Sequence, residues 1–116
     1  MNEYVLLVRI DRDSLAPEQI PPIRAGWDVV LENWKARNQY VTSNLIIDQG
    51  TVISGGDRAV TQGAVSGAGG AIVSTITLQA ETAEEAVELA KACPTLDYGG
   101  TVEVRLRQPP AAPPSN

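Results

Sequence analysis

Three stretches of the chain carry the hydrophobic patterns of β-strands. Residues 4–10 are apolar at every position except Arg9, which is typical of a strand covered on both faces. Residues 71–79 alternate between two sets of positions and are rich in β-branched side chains. Residues 102–106 place apolar side chains between charged ones, which predicts a final strand.

The middle of the chain predicts two more strands separated by turns. Residues 40–47 and 51–54 read as strands, with Asp48-Gln49-Gly50 between them, and Asn, Asp and Gly tolerate the positive φ of hairpin turns. Gly55-Gly56-Asp57-Arg58 is a second turn. The segment Gly63–Gly70 has no periodicity and is predicted to be a loop.

Two helices are predicted between these strands. Pro17 indicates a short turn, and the main helix is expected from about Pro22 to Asn38, because proline is tolerated only in a first turn. Its apolar stripe comprises Ile23, Trp27, Val30, Leu31 and Trp34. Thr82 and Glu85 have the spacing of a capping box that opens a second helix, which ends before Pro94. The residues expected to be buried by this helix are Ala86, Val87, Leu89, Ala90 and Cys93.

The order of elements predicts an α+β, ferredoxin-like β-α-β-β-α-β fold. Two helices would cover one face of a four- to five-stranded antiparallel sheet. The other face is expected to be apolar, with Val5, Leu7, Val73 and Val102 exposed on it. A soluble monomer rarely exposes such a patch, so we expect a homodimer through this sheet face.

Composition excludes several kinds of chemistry. The chain has 116 residues, a net charge of −5, no His and one Cys. Without His there is no imidazole base and no His-containing metal site, and a single Cys excludes intrachain disulfides and cysteine clusters. No metal or cofactor is expected. The acidic balance argues against nucleic acid as a partner.

The N-terminal segment bears on the cellular location, and the C-terminal residues bear on the domain organisation. The N-terminal segment has no basic region, and its apolar run is too short for a signal peptide or a membrane span, so we expect a cytoplasmic protein without a membrane partner. One domain is expected over residues 1–108. Residues 109–116 are rich in proline and predicted to be a flexible tail, or alternatively a ligand for a proline-recognising module.

Three segments carry a resemblance to a known family. The first is the opening strand with Pro17-Glu18-Gln19 after it, and the second is Val60–Val65. The third and most specific runs from Glu84-Glu85-Ala86 through Cys93-Pro94 to Tyr98-Gly99-Gly100-Thr101-Val102-Glu103-Val104-Arg105. Over residues 3–107 the chain resembles the YCII-related family, also called DGPF-domain proteins. The resemblance implies a ferredoxin-like fold that dimerises sheet to sheet as an α+β barrel.

The chain departs from this family at positions that bear on function. Gln62, Ala64 and Val65 replace the Asp, Pro and Phe that name the DGPF motif. Some branches of the family look like enzymes with a His on the first helix and an Asp after the second. This chain has no His, and Cys93-Pro94 stands in the place of that Asp-Pro. The resemblance therefore does not supply this catalytic pair.

Charged residues within the strands are the first candidate site residues. Arg9, Glu103 and Arg105 would lie on paired strands, either as a structural ion pair at a barrel rim or dimer interface, or as groups that hold a ligand. In the functional interpretation an arginine grips an anionic or carbonyl-bearing ligand and Glu103 acts as acid or base. Asp97 is a second candidate carboxylate, and Asn44 a candidate orienting amide.

The remaining candidates have a structural alternative. Trp27 and Trp34 share one helix face and are either core residues or, for one indole, the wall of a ligand cavity. Cys93 is expected to be buried at a helix end, where both burial and the helix dipole raise the pKa of a thiol. Gly63–Gly70 lacks a phosphate-binding motif and precedes a strand, so it is read as a loop beside a pocket entrance.

Three classes of function therefore remain. The first is a small-molecule-binding or accessory homodimer with a pocket between the sheet and the first helix. The candidate ligand-binding residues are Arg9, Trp27, Asn44 and Arg105. The second is a cofactor-free enzyme, such as a lyase, isomerase or oxygenase, acting on a small hydroxylated or aromatic compound through Glu103 or Asp97. The third is an interaction module that uses the proline-rich tail.

Overall fold

The main sheet is built from the strands that the alternation predicts. The computed structural model describes residues 1–108, and the predicted tail 109–116 lies outside the described residues. The strands and helices are β1 (Asn2–Ile10), α1 (Ile20–Ala36), β2 (Tyr40–Leu45), β3 (Thr51–Ser54), β4 (Ala59–Gln62), β5 (Ser66–Gly67), β6 (Gly70–Ala80), α2 (Ala83–Ala90) and β7 (Thr101–Arg107). Short 3₁₀ turns at Arg12–Ser14, Pro17–Gln19 and Pro94–Tyr98 connect them.

The strand order confirms the predicted ferredoxin-like α+β fold. The antiparallel sheet runs β2-β6-β1-β7, and the two-residue strand β5 adds to β6 within the segment predicted as a loop. Both helices cover one face, which we call the helix face. The core lies there, and its fully buried centre comprises Leu6, Val8, Ile76, Leu78 and Cys93. Burying side chains of this size stabilises the fold by about 1.5–3 kcal/mol each.

The middle of the chain differs from the prediction. β3 does not pair with β2 across residues 48–50 but with β4, a strand that the sequence pattern did not reveal. β3 and β4 form a separate hairpin, which we call the arm (residues 50–63), and they contact chiefly each other. β2 pairs with β6 instead. The arm is thus an insertion between the two central strands of the β-α-β-β-α-β order.

The two helices begin and end close to their predicted limits. α1 starts at Ile20, directly after the 3₁₀ turn at Pro17–Gln19. At α2 the Thr82 hydroxyl accepts the Glu85 N–H at 3.1 Å, as expected, but the Glu85 carboxylate accepts from Gln39 Nε2 at 2.7 Å rather than closing a capping box. Val87 was expected to be buried and is 41% exposed, because α2 presents only Ala86, Leu89 and Ala90 to the core.

The face opposite the helices, which we call the open face, is less apolar than predicted. The β1–β7 register places Val102 beside Val8, so Val102 points to the helices. Val73 is the extra residue of a bulge between the Val8–Ser74 and Arg9–Ile72 pairs and is buried in the core. Val5 and Leu7 alone of the four predicted residues lie on the open face, where the bulge adds Ile72.

Candidate ligand-binding site

A cavity of about 710 Å³ lies between the N-terminal half of α1 and the helix face of the sheet. Its floor comprises Val8, Ile10, Val73 and Ile76, and its wall on the helix comprises Ile23, Trp27 and Leu31. This volume lies within the range of small-molecule sites, which are mostly apolar with a few polar groups. Its position between the sheet and the first helix is the one that the first functional hypothesis requires.

The spacing of two tryptophans and the bulge in β6 shape the cavity at the N-terminal half of α1. Trp34 is 2% exposed and fills the seam between the C-terminal half of α1 and the sheet. Trp27, two turns earlier, meets Trp34 edge to face with ring centroids 6.3 Å apart, and it is only partly buried because it faces the cavity. The bulge in β6 turns Val73 and Ser74 to the same side of the strand, so both line the floor.

Six polar residues complete the cavity lining: Arg12, Arg24, Asp28, Ser43, Ser74 and Thr95. Arg12 is half-buried and donates to the backbone carbonyl of Ile46, which fixes it against the loop after β2. The Ser43 hydroxyl is hydrogen-bonded to the Tyr40 hydroxyl at 2.6 Å.

Thr95 carries a polar atom without a partner. The residue is 4% exposed, and its Oγ1 has no hydrogen-bond partner among residues 1–108. An unpaired buried hydroxyl costs about 1–3 kcal/mol. Thr95 also lines the cavity, so a ligand atom is one way to satisfy that hydroxyl.

The structure separates the predicted site residues into two groups. Trp27 lines the cavity on the helix face. Arg9, Asn44, Glu103 and Arg105 come together on the open face, where the strand registers place Asn44, Thr75, Leu7 and Glu103 in one row across four strands. Asp97 is exposed in the 3₁₀ turn after α2 and lies with neither group. The sheet therefore stands between Trp27 and the charged residues predicted to act with it.

The open-face residues form exposed polar contacts. Arg105 Nη1 and Glu103 Oε2 are 2.7 Å apart, but the side chains are 67% and 43% exposed, so this pair contributes at most about 1 kcal/mol. Asn44 Nδ2 donates to Thr75 Oγ1 at 3.3 Å. Arg9 packs against Gly67, where a Cβ would come within 2.9 Å of the guanidinium. None of these residues lines the cavity on the helix face.

Arg12, Arg24 and Thr95 were missed at the sequence level. Arg24 precedes Trp27 by three residues and Leu31 by seven, so the helical spacing places it on the same stripe and was a usable signal. Arg12 and Thr95 gave no such signal. They reach the cavity from 3₁₀ turns, whose position depends on tertiary contacts such as Pro94 against Gly26.

Cys93, the only thiol, is buried beside this site and does not line the cavity. Burial raises the pKa of the thiol from 9.0 to about 12, in the predicted direction. The side chain therefore stays protonated at neutral pH and is a poor nucleophile.

Residues 1–108 contain neither a cluster of potential metal ligands nor a helix that could span a membrane. Residues 1–108 contain no group of three or more His, Cys, Asp or Glu side chains placed to hold a metal ion. No helix in the same range is long and apolar enough to cross a membrane.

Comparison with known proteins identifies a family. The family model of the YCII-related domain matches residues 2–108, which is most of the chain. A search of curated proteins found no match.

Proposed function

The chain belongs to the YCII-related family, and we propose that it is a small-molecule-binding protein that works as a homodimer. The observation that supports binding is the cavity of about 710 Å³ between α1 and the sheet. Its lining is apolar over the strand floor and the Trp27 wall, with polar groups from Arg12, Arg24 and Thr95. Such a lining binds a compact, mostly apolar molecule by excluding water from both surfaces.

A cavity-filling variant tests this proposal. Ser74 lines the cavity, so Ser74→Leu would occupy space that the ligand needs, whereas Ser54→Leu makes the same change at an exposed position on the arm. Thermal unfolding is measured for the wild type and both variants with aromatic and aliphatic acids, amides and alcohols. A ligand at a hundred times its Kd adds about 2.7 kcal/mol to the free energy of unfolding.

We expect at least one compound to stabilise the wild type and Ser54→Leu but not Ser74→Leu. Equal stabilisation of all three proteins would place binding outside the cavity. If no compound in the set stabilises the wild type, the binding proposal is wrong.

The homodimer is supported by the centre of the open face. Val5 and Leu7 lie side by side on β1, with Ile72 at one end of the same face. These side chains are partly exposed in the single chain, and a second copy of the sheet would cover them. The same contact would enclose Arg9, Asn44, Glu103 and Arg105 between two sheets.

A cofactor-free enzyme is a second candidate, and the position of one carboxylate favours testing it. Asp28 is the one carboxylate among the cavity-lining residues, whereas Glu103 lies on the open face. Any compound that binds is incubated with the protein and followed by mass spectrometry. Loss of turnover in Asp28→Asn would assign the acid or base to the cavity, and loss in Glu103→Gln would assign it to the open face. Turnover unchanged in both would exclude a carboxylate acid/base at either position.

A further inference from the structure

The polar groups at the cavity edge carry more positive than negative charge. Arg12 and Arg24 line it together with one acidic residue, Asp28. Arg12 lies in the 3₁₀ turn Arg12–Ser14 after β1, and Arg24 lies in the second turn of α1. Both cations therefore precede the middle of α1 in the chain.

We propose that this cavity, as the site of the proposed function, selects a monocarboxylate with an aromatic or branched aliphatic body. Its carboxylate is bound at the edge lined by Arg12 and Arg24, and its body lies on Trp27 and the apolar floor.

Arg24 is available for an anion. Asp28, four residues later on α1, is at the spacing of a helical ion pair. None of the ion pairs of residues 1–108 joins Arg24 to Asp28 or to any other acid, and Arg24 makes no side-chain hydrogen bond within that range. Its guanidinium therefore keeps its N–H donors for a carboxylate, which an arginine binds through two parallel hydrogen bonds.

Arg12 is held in place before any ligand arrives. The hydrogen bond from its Nη2 to the Ile46 carbonyl uses one of its five N–H donors. The half-buried side chain is thereby fixed against the loop after β2, and its other donors remain. A fixed cation loses little side-chain entropy on binding an anion.

The balance of charge and surface defines the ligand class. Two arginines and one aspartate leave one net positive charge at the edge, which matches one carboxylate better than a dianion such as a phosphate monoester. The strand floor and Trp27 offer no charged group, and the hydroxyls of Ser43, Ser74 and Thr95 are the remaining polar groups of the lining, so the rest of the ligand is uncharged and mostly apolar. An indole wall favours a flat ring or a branched alkyl group.

Matched acid and amide pairs test the inference by isothermal titration calorimetry at pH 7. The probes are phenylacetate with phenylacetamide, and 4-methylpentanoate with 4-methylpentanamide, which differ only in the charged group. Arg24→Gln removes the proposed contact. Arg37→Gln removes the same charge at the far end of α1, where Arg37 is exposed and outside this cavity.

We expect the wild type and Arg37→Gln to bind the acids about tenfold or more tightly than the amides, the factor that a charged hydrogen bond provides. In Arg24→Gln the acid affinity should fall several-fold, because only Arg12 is left to bind the carboxylate, while the amide affinity stays unchanged. An amide that binds as tightly as its acid overturns the inference, as does an acid preference that is undiminished in Arg24→Gln.

Ser74→Leu separates failure of this inference from failure of the proposed function. Acids and amides that bind equally well, and that both lose affinity in Ser74→Leu, would leave the cavity as a binding site with the wrong ligand class assigned. If neither member of either pair binds the wild type at millimolar concentration, the inference is wrong, and the wider compound set then decides the proposed function.

Discussion

Single residues show how strongly local surroundings set chemistry in this chain. Cys93 and Thr95 are two positions apart, and both are almost completely buried. The thiol is a small apolar group that suits burial. The Thr95 hydroxyl has no partner among the described residues, which is an unfavourable state that functional sites often retain. Burial thus makes the Cys93 thiol unreactive, and it leaves the Thr95 hydroxyl without a partner at the candidate site.

Cys93 should make stability depend on pH in the alkaline range. The pKa of the thiol is 9.0 when exposed and about 12 in the folded chain. The folded state therefore favours the protonated thiol, and its contribution is complete below pH 9 and is lost as the pH rises from 9 to 12. The free energy of unfolding should fall by up to about 1.4 kcal/mol per pH unit there.

Cys93→Ala provides the reference for this measurement, because tyrosines and lysines also titrate above pH 9. Urea unfolding of both proteins between pH 7 and 11 should show the difference in stability shrinking at alkaline pH. Parallel curves for the two proteins would mean that the thiol titrates normally in the folded state.

At the level of elements, side chains fix where helices begin and how they join the sheet. Thr82 accepts the Glu85 N–H at the start of α2, and the Glu85 carboxylate accepts from Gln39 between α1 and β2. One residue therefore contributes its backbone to a helix cap and its side chain to a contact between two parts of the chain. The sequence predicted the cap, because Thr and Glu have the required spacing. It did not reveal Gln39, which is 46 residues away from Glu85.

Removing this cap should destabilise the protein measurably. In Thr82→Ala the Glu85 N–H loses its acceptor, and the free energy of unfolding should fall by about 1 kcal/mol. Thr82→Ser keeps the hydroxyl and should lie much closer to the wild type. Urea unfolding monitored by circular dichroism measures both variants. Equal stability of Thr82→Ala and the wild type would show that water caps α2 as well as the threonine does.

For the whole molecule, the open face determines the expected assembly. Leu7 lies at its centre between Thr75 and Glu103. We expect the wild type to sediment as a dimer at micromolar concentration, and Leu7→Glu to sediment as a folded monomer because a buried, unpaired carboxylate opposes association. Val60→Glu, on the arm, makes a comparable change elsewhere and should stay dimeric. A wild type that sediments as a monomer contradicts the proposed dimer.

The sequence predicted the fold well because long alternating strands and an apolar helical stripe mark it directly. The sequence-based prediction failed where one extra residue in a strand changes which face of the sheet the side chains point to. The bulge at Val73 turns that side chain into the core, and no pattern in residues 71–79 announces it. The wrong face predicted for Val102 has a different cause. Val102 and Val104 are two residues apart and therefore share a face, and their partners Val8 and Leu6 place that face toward the helices. The candidate site was predicted only at Trp27, since its other polar groups reach the cavity from turns.

The arm has a consequence for handling the protein. Its two ends are joined at the base, where the Gly63 N–H donates to the Gly50 carbonyl at 2.9 Å. Because the ends are adjacent and the strands between them contact chiefly each other, the hairpin is exchangeable for a foreign peptide without stretching the main sheet. Residues 50–63 are therefore a suitable position for inserting an epitope, attaching a fluorophore or tethering the protein to a solid support. A label placed there would lie outside the residues that line the cavity.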